Sequence, residues 1–285
     1  MNKSILNMVG IGCIAAGVLG LFAFGTKTLT TSQLPHYEYT IEAGTDLKRL
    51  ELEGDRGSIQ VNWVFDGENK IEINGQAPDK VVSNLSEAKV KNGTLVLDYR
   101  TREPEQWIRL IGVNTQSQKH EITIHATETQ VLERLKANVA MGTIHISGGR
   151  VDELEANSNL GEVIVKQLQG NRVQLSSDAG SVLAEDVDAV IDASSSLGQV
   201  KLLHTIQPVT AKADAGNIVI DQKEPHPITA SSNLGSIKIS VSPQFDGVYD
   251  LRTNLGDIDA PDSKMKSDMV IRARADLGEI TIVEK

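Results

Sequence analysis

Amide and carboxylate side chains recur two residues before most members of a glycine series: Asn159, Asp178, Asp214, Asn233, Asn254 and Asp276. A ladder of oxygen donors like this could hold calcium between successive turns. The spacing speaks against it, because calcium β-rolls draw paired turns from a repeat of about nine residues, whereas one donor returns here only every 18 to 22 residues. Stacked Asn and Asp side chains capping a turn explain the column without an ion. The histidines His36, His120, His125, His145, His204 and His226 stand at no metal-ligand spacing from one another or from Cys13. His145 is read as an outward, solvated strand residue. With no phosphate loop, nucleophile elbow or dinucleotide fingerprint, the expectation is no catalytic residue, no cofactor and no metal.

The elements that carry these side chains are set by the glycines themselves. Gly142, Gly161, Gly180, Gly198, Gly216, Gly235, Gly256 and Gly278 follow at intervals of 19, 19, 18, 18, 19, 21 and 22 residues, a period that implies a solenoid. Seven and five residues before each glycine the chain is apolar, as at Leu154 and Ala156. A small residue stands three before, as at Ser158, and an apolar one directly before, as at Leu160. Alternation with period two makes this a strand, with all four columns expected inward. In the rung of Gly198, Ala193 and Leu197 are thus read as inward and Ser194 and Ser196 as outward. Beyond the glycine the apolar positions fall two and four residues on, as at Val163 and Val165. The inward side therefore slips by one across the glycine, and the slip predicts a corner where a residue without Cβ takes positive φ. Each rung has at least two strands around a shared core.

Residues 5–24 are apolar apart from Asn7, and twenty helical residues would span about 30 Å, the thickness of a bilayer core. Phe22-Ala23-Phe24 is a poor cleavage site for a signal peptide, so residues 1–25 are read as a transmembrane anchor, with a signal peptide as the competing reading. Lys3 is then inside and the rest exported. The lipoprotein reading of Cys13 fails on Gly10, three positions earlier. Lys and Arg total 28 against 38 Asp and Glu; without Lys3 and Lys27 the balance is 26 against 38, a net charge of −12. That excludes nucleic acid as a natural partner and opposes electrostatic adhesion to anionic lipid.

Residues 26–36, rich in Thr and Ser, read as a tether, and 37–285 as one all-β domain. Within it, 135–285 holds the regular rungs and 37–134 a first rung with an N-terminal cap. The first rung repeats the offsets in Leu50, Leu52, Gly57, Ile59 and Val61. Asn74-Gly75 and Asn92-Gly93 are expected to make tight hairpin turns between alternating segments, and the cap covers the open edge of the first rung. From 102 to 118 alternation stops, yet the chain carries Trp107, Ile108, Leu110 and Ile111. Those residues either fold over the cap or form a contact surface. The outward Ile164, Leu183 and Val219, each three after its glycine, are candidates for a second contact face.

The strand ending in Glu121-Ile122-Thr123-Ile124, the serial rungs that follow and the late phrase Thr253-Asn254-Leu255-Gly256-Asp257-Ile258 resemble the bacterial putative adhesin family of β-strand-repeat domains, from about Leu47 to the C-terminus. The resemblance implies a membrane-linked β-solenoid of the bacterial cell envelope, in some members tied to envelope stress, and no catalytic residues. The leading expectation is a non-enzymatic, membrane-anchored, extracytoplasmic binding or scaffold protein whose partner is an envelope protein or polysaccharide. A polysaccharide-processing β-helix enzyme would need clustered acids and bases along a groove, and these are dispersed here. A polymerising β-helix scaffold of the cytoplasmic face conflicts with the apolar anchor.

Overall fold

The computed structural model describes residues 34–44, 47–101 and 118–285. The proposed anchor (1–25) and most of the tether, together with Trp107, Ile108, Leu110 and Ile111, lie outside the described residues. Among the described residues no helix is long and apolar enough to cross a membrane.

The elements in chain order are β1 (His36–Glu42), β2 (Arg49–Arg56), β3 (Ser58–Phe65), β4 (Lys70–Gln76), α1 (Asp79–Ser86), β5 (Thr94–Asp98) and β6 (Lys119–Ala126). The repeating part continues with β7 (Leu132–Met141), β8 (Ile144–Ser147), β9 (Val151–Leu160), β10 (Val163–Lys166), β11 (Gln169–Ala179), β12 (Val182–Glu185), β13 (Asp188–Leu197) and β14 (Val200–Thr205). It ends with β15 (Val209–Ala215), β16 (Ile218–Gln222), β17 (Ile228–Leu234), β18 (Ile237–Val241), β19 (Val248–Leu255), β20 (Ile258–Asp259), β21 (Val270–Leu277) and β22 (Ile280–Glu284).

Each rung contributes one strand to a ten-stranded sheet and one to a twelve-stranded sheet. Pairing between rungs is parallel and in column register: Val173 lies beside Ile191, Leu175 beside Ala193, and Val163 beside Val182. The inward columns of the two sheets bury one another, so that Leu154, Ala156, Val163 and Val165 are all essentially inaccessible to water. The mostly β, two-sheet parallel stack is the solenoid that the repeat implies.

The corner glycines pack backbone on backbone. A Cβ on Gly161 would stand 2.0 Å from the carbonyl oxygen of Gly142, and the same clash recurs up the column. Gly161 also takes φ +144°, a conformation costly for any side chain. The small column three residues before the glycine has its own cause. Ser158, Ser177 and Ser195 are buried and donate to the carbonyl oxygens of Gly142, Gly161 and Gly180, one rung back, at 2.8–2.9 Å. A buried hydroxyl needs such a partner, and the bond ties each corner to the next.

The corner also overturns one expectation. The residues directly before the glycines do not face inward: Leu197 is 61 % exposed, and Met141, Leu160, Leu234, Leu255 and Leu277 are exposed with it. Alternation ends at the small column, and the next two residues both point out. The stacked glycine backbone fills the corner, joined by a hydroxyl where the small column holds Ser or Thr, and leaves no room for a leucine.

The rungs do not run in chain order at either end. The larger sheet runs β1-β4-β6-β3-β8 at one end and β18-β22-β20 at the other; the smaller runs β5-β2-β7 and β17-β21-β19. The rung of Gly278 thus inserts between those of Gly235 and Gly256, and β5 with β6 forms an extra rung outside the first. The rungs pair with the rungs above and below them, but chain order and stack order part at both ends. Beyond β6 the larger sheet continues antiparallel through β4 and β1, and α1 adds Val81 and Leu85 to the core. The helix was not foreseen.

The two Asn-Gly pairs part company. Asn92 and Gly93 both have positive φ, 52° and 75°, and Lys91 and Thr94 exchange backbone hydrogen bonds across them at 2.9 Å, as a tight two-residue turn requires. Asn74 and Gly75 instead lie inside β4. Gly75 is needed there because a Cβ would meet the Lys119 carbonyl oxygen at 2.0 Å and the Tyr37 hydroxyl at 2.8 Å.

Candidate binding surfaces

Of the residues read as a contact face, Ile164, Leu183 and Val219 lie in one outward column of the twelve-stranded sheet, and all three are half-buried. Register pairs Ile164 with Leu183, but Lys201 stands between Leu183 and Val219, and Lys238 follows. The face is therefore mixed rather than continuously apolar. His145 lies in this column between Gln60 and Ile164 and is half-buried rather than solvated, with Nε2 enclosed and unpartnered. Burial and the nearby Lys166 ammonium lower its pKa.

On the ten-stranded sheet the outward side chains bond from rung to rung. Asn138 donates to Glu53 at 2.8 Å, Asn157 to Asn138 at 2.9 Å and Ser176 to Asn157 at 2.6 Å. The Asn/Asp column before the glycines behaves alike, with Asn233 donating to Asp214 at 3.4 Å and Asn254 to Asp276 at 3.0 Å.

Two mixed clusters were not legible as sequence spacings, because strands from different rungs assemble them: Asp66 with Glu68 and His125, and Glu185 with Asp186 and His204. Each already contains a lysine ammonium. His125 Nδ1 lies 2.5 Å from Asp66, Lys70 bridges Glu68 and Glu72 at 2.6 and 2.9 Å, and Lys166 lies 2.7 Å from Glu185. The histidine beside it, first of all, and the Glu68 backbone N–H hold the Asp66 carboxyl below its ordinary range. An ammonium in place opposes a further cation by charge.

The feature missed from the sequence is the row directly before the glycines. Met141, Leu160, Leu197, Leu234, Leu277 and Leu255 stack in register as an exposed rail, with Ala179 and Ala215 in the gaps on either side of Leu197. The signal was present in Asp178-Ala179, Asn233-Leu234 and Asp276-Leu277. There a polar and an apolar residue precede a corner that has no space inside for the second.

A family model described as Toastrack DUF4097 matches residues 47–276. No curated protein matches the chain. Among solved structures, a putative adhesin from Bacteroides fragilis aligns over 88 % of this chain and 98 % of its own at 17 % identity, with a TM-score of 0.54. A putative cell adhesion protein from Clostridium sporogenes covers 88 % and 100 % at 12 % identity and a TM-score of 0.35. A putative adhesin from Parabacteroides distasonis covers 88 % and 97 % at 13 % and 0.40. The first of these likenesses is one of fold.

Proposed function

The chain belongs to the Toastrack DUF4097 family, and on that premise we propose that it is a non-enzymatic, adhesin-like binding or scaffold protein of the bacterial cell envelope. The observation that carries this reading is the repetition of surface. Parallel in-register rungs present the same outward position again and again, which suits contact with an extended partner. The description of the Bacteroides fragilis structure as a putative adhesin points the same way. The apolar run 5–24 is proposed as a single membrane anchor, with the stack outside. The partner on this reading is an envelope protein or polysaccharide.

Two measurements on one preparation test it. In intact cells a C-terminal tag on the full chain should be digested by added protease while the chain remains in the membrane fraction. The extracted chain should also cosediment with purified envelope fragments. A protected tag, or a chain that leaves the fragments in the supernatant, contradicts the proposal.

A further inference from the structure

The exposed rail crosses successive rungs, and strands pair about 4.8 Å apart, so its seven steps extend roughly 34 Å. A contiguous apolar stripe on an otherwise polar surface marks a contact. Charge decides what covers it. In the two columns that flank the rail along the chain, two before and one after each glycine, the charged residues are Asp178, Asp214, Asp276, Glu162, Asp257 and Glu279, and neither column holds a Lys or Arg. All six are exposed. Among the described residues none of the six forms an ion pair, whereas Glu155, Glu185 and Asp250 elsewhere on the stack each do. A second copy of the chain would bring the same carboxylates against these, and an anionic lipid surface would be repelled alike.

We propose that the rail is the docking site for a cationic amphipathic helix of a partner protein. Leu160, Leu197 and Leu234 alternate with Ala179 and Ala215, so the gaps above the alanines recur every two rungs, about 9.6 Å apart. Residues seven apart on a helix are separated by about 10.5 Å. Large apolar residues at heptad spacing therefore sink into consecutive gaps, as knobs do between ridges. Lys and Arg on both shoulders of the helix then meet the flanking carboxylates. The rail accommodates a helix of about 22 residues. This inference rests on the reading of the chain as a binding scaffold and names the partner chemistry for one surface of it.

The test uses the full-length chain in phosphatidylcholine nanodiscs and a fluorescent synthetic helix of about 22 residues, built of Leu and Lys with leucine on one heptad stripe and carrying one diazirine leucine. The expected result is saturable binding above empty nanodiscs, stronger as salt is lowered, with cross-links mapping to the corners around Leu160, Leu197 and Leu234. The double variants Leu197→Ser/Leu234→Ser and Asp178→Asn/Asp214→Asn should each weaken binding by about tenfold or more, and both should melt as wild type does because these side chains are exposed. A scrambled peptide of the same composition should bind no better to wild type than to either variant. Undiminished binding in both variants, or cross-links that map elsewhere, overturns the proposal. So does a wild-type chain that dimerises or binds phosphatidylglycerol vesicles through Leu197 and Leu234. Envelope cosedimentation that survives while peptide binding fails would sink this inference alone; loss of cosedimentation with peptide binding intact would sink the broader reading instead.

Discussion

At the N-terminal end of the stack β5 and β6 are added outside the first rung, which the chain then crosses to continue as β7; at the C-terminal end β19 and β20 are laid outermost, and β21 and β22 return to fill the position within. The sealing chemistry differs. The N-terminal end buries titratable rings: the Tyr37 hydroxyl lies 2.7 Å from His120 Nδ1, and Tyr99 stacks on His120 with centroids 3.9 Å apart. Burial pushes both phenols up and holds His120 down to about 3. The C-terminal end instead carries charges at the surface, where Asp250 meets Arg272 at 2.9 Å, Arg252 at 3.5 Å and Arg274 at 3.6 Å. Those arginines, Arg272 foremost, keep the Asp250 carboxyl below its ordinary range. Leu255 there is 69 % exposed. One end is thus closed over buried rings and is acid-sensitive, while the other carries its charges at the surface and depends on its ladder.

The largest contrast should come from one substitution made at each end. In Gly57→Ala the new methyl would stand 2.2 Å from the Gln118 carbonyl oxygen, with rungs on both sides; in Gly256→Ala it would stand 2.2 Å from that of Gly278, but on an outermost rung that can shift away. Denaturant melts should show a loss of roughly 3 kcal/mol or more for Gly57→Ala and about half of that for Gly256→Ala. Equal losses would break the contrast.

Acid should then separate the ends by a comparable amount. The folded pKa of His120 lies below its ordinary 6.5, so its stabilisation is full above that value and is lost as pH falls from 6.5 toward 3. By pH 4 the loss amounts to about 3 kcal/mol. His120→Phe removes this component, so the difference in stability between wild type and variant should change with pH across that window. A constant difference would mean that His120 is not buried neutral.

The smallest effect is expected at the surface charges. Asp250→Asn should lower the melting midpoint only slightly, and salt should shrink the difference. A loss that exceeds that of Gly256→Ala would show that the C-terminal end is held by its ion pairs rather than by its ladder.

Much of this molecule is legible as columns, and the failures are instructive. Leu154, Ala156, Val163 and Val165 declare their side because burial on one face of a strand imposes period two. Leu160 and Leu197 misled because alternation was carried one step too far, through a corner whose interior is filled by a serine hydroxyl and glycine backbone. The exchange of the last two rungs was hidden, since Leu255-Gly256 and Leu277-Gly278 carry the same phrase. Only their longer intervals of 21 and 22 residues hint at the extra chain needed to cross over a rung. The buried His120 was equally illegible, because its partners Tyr37, in β1, and Tyr99, just past the end of β5, are brought to it by the fold and not by sequence spacing.

The register of the corner underlies both the fold and the exposed rail, and one pair of variants in the same rung tests it most directly. Ala193 is fully buried and Leu197 exposed. Ala193→Asp should therefore place an unpaired carboxylate in the core and cost on the order of 3 to 5 kcal/mol, while Leu197→Asp should stay within about 0.5 kcal/mol of wild type. Thermal melts and limited proteolysis of the two should show an early-melting, cleaved Ala193→Asp and an intact Leu197→Asp. Comparable destabilisation by both, or greater harm from Leu197→Asp, would return the leucines to the core and remove the rail.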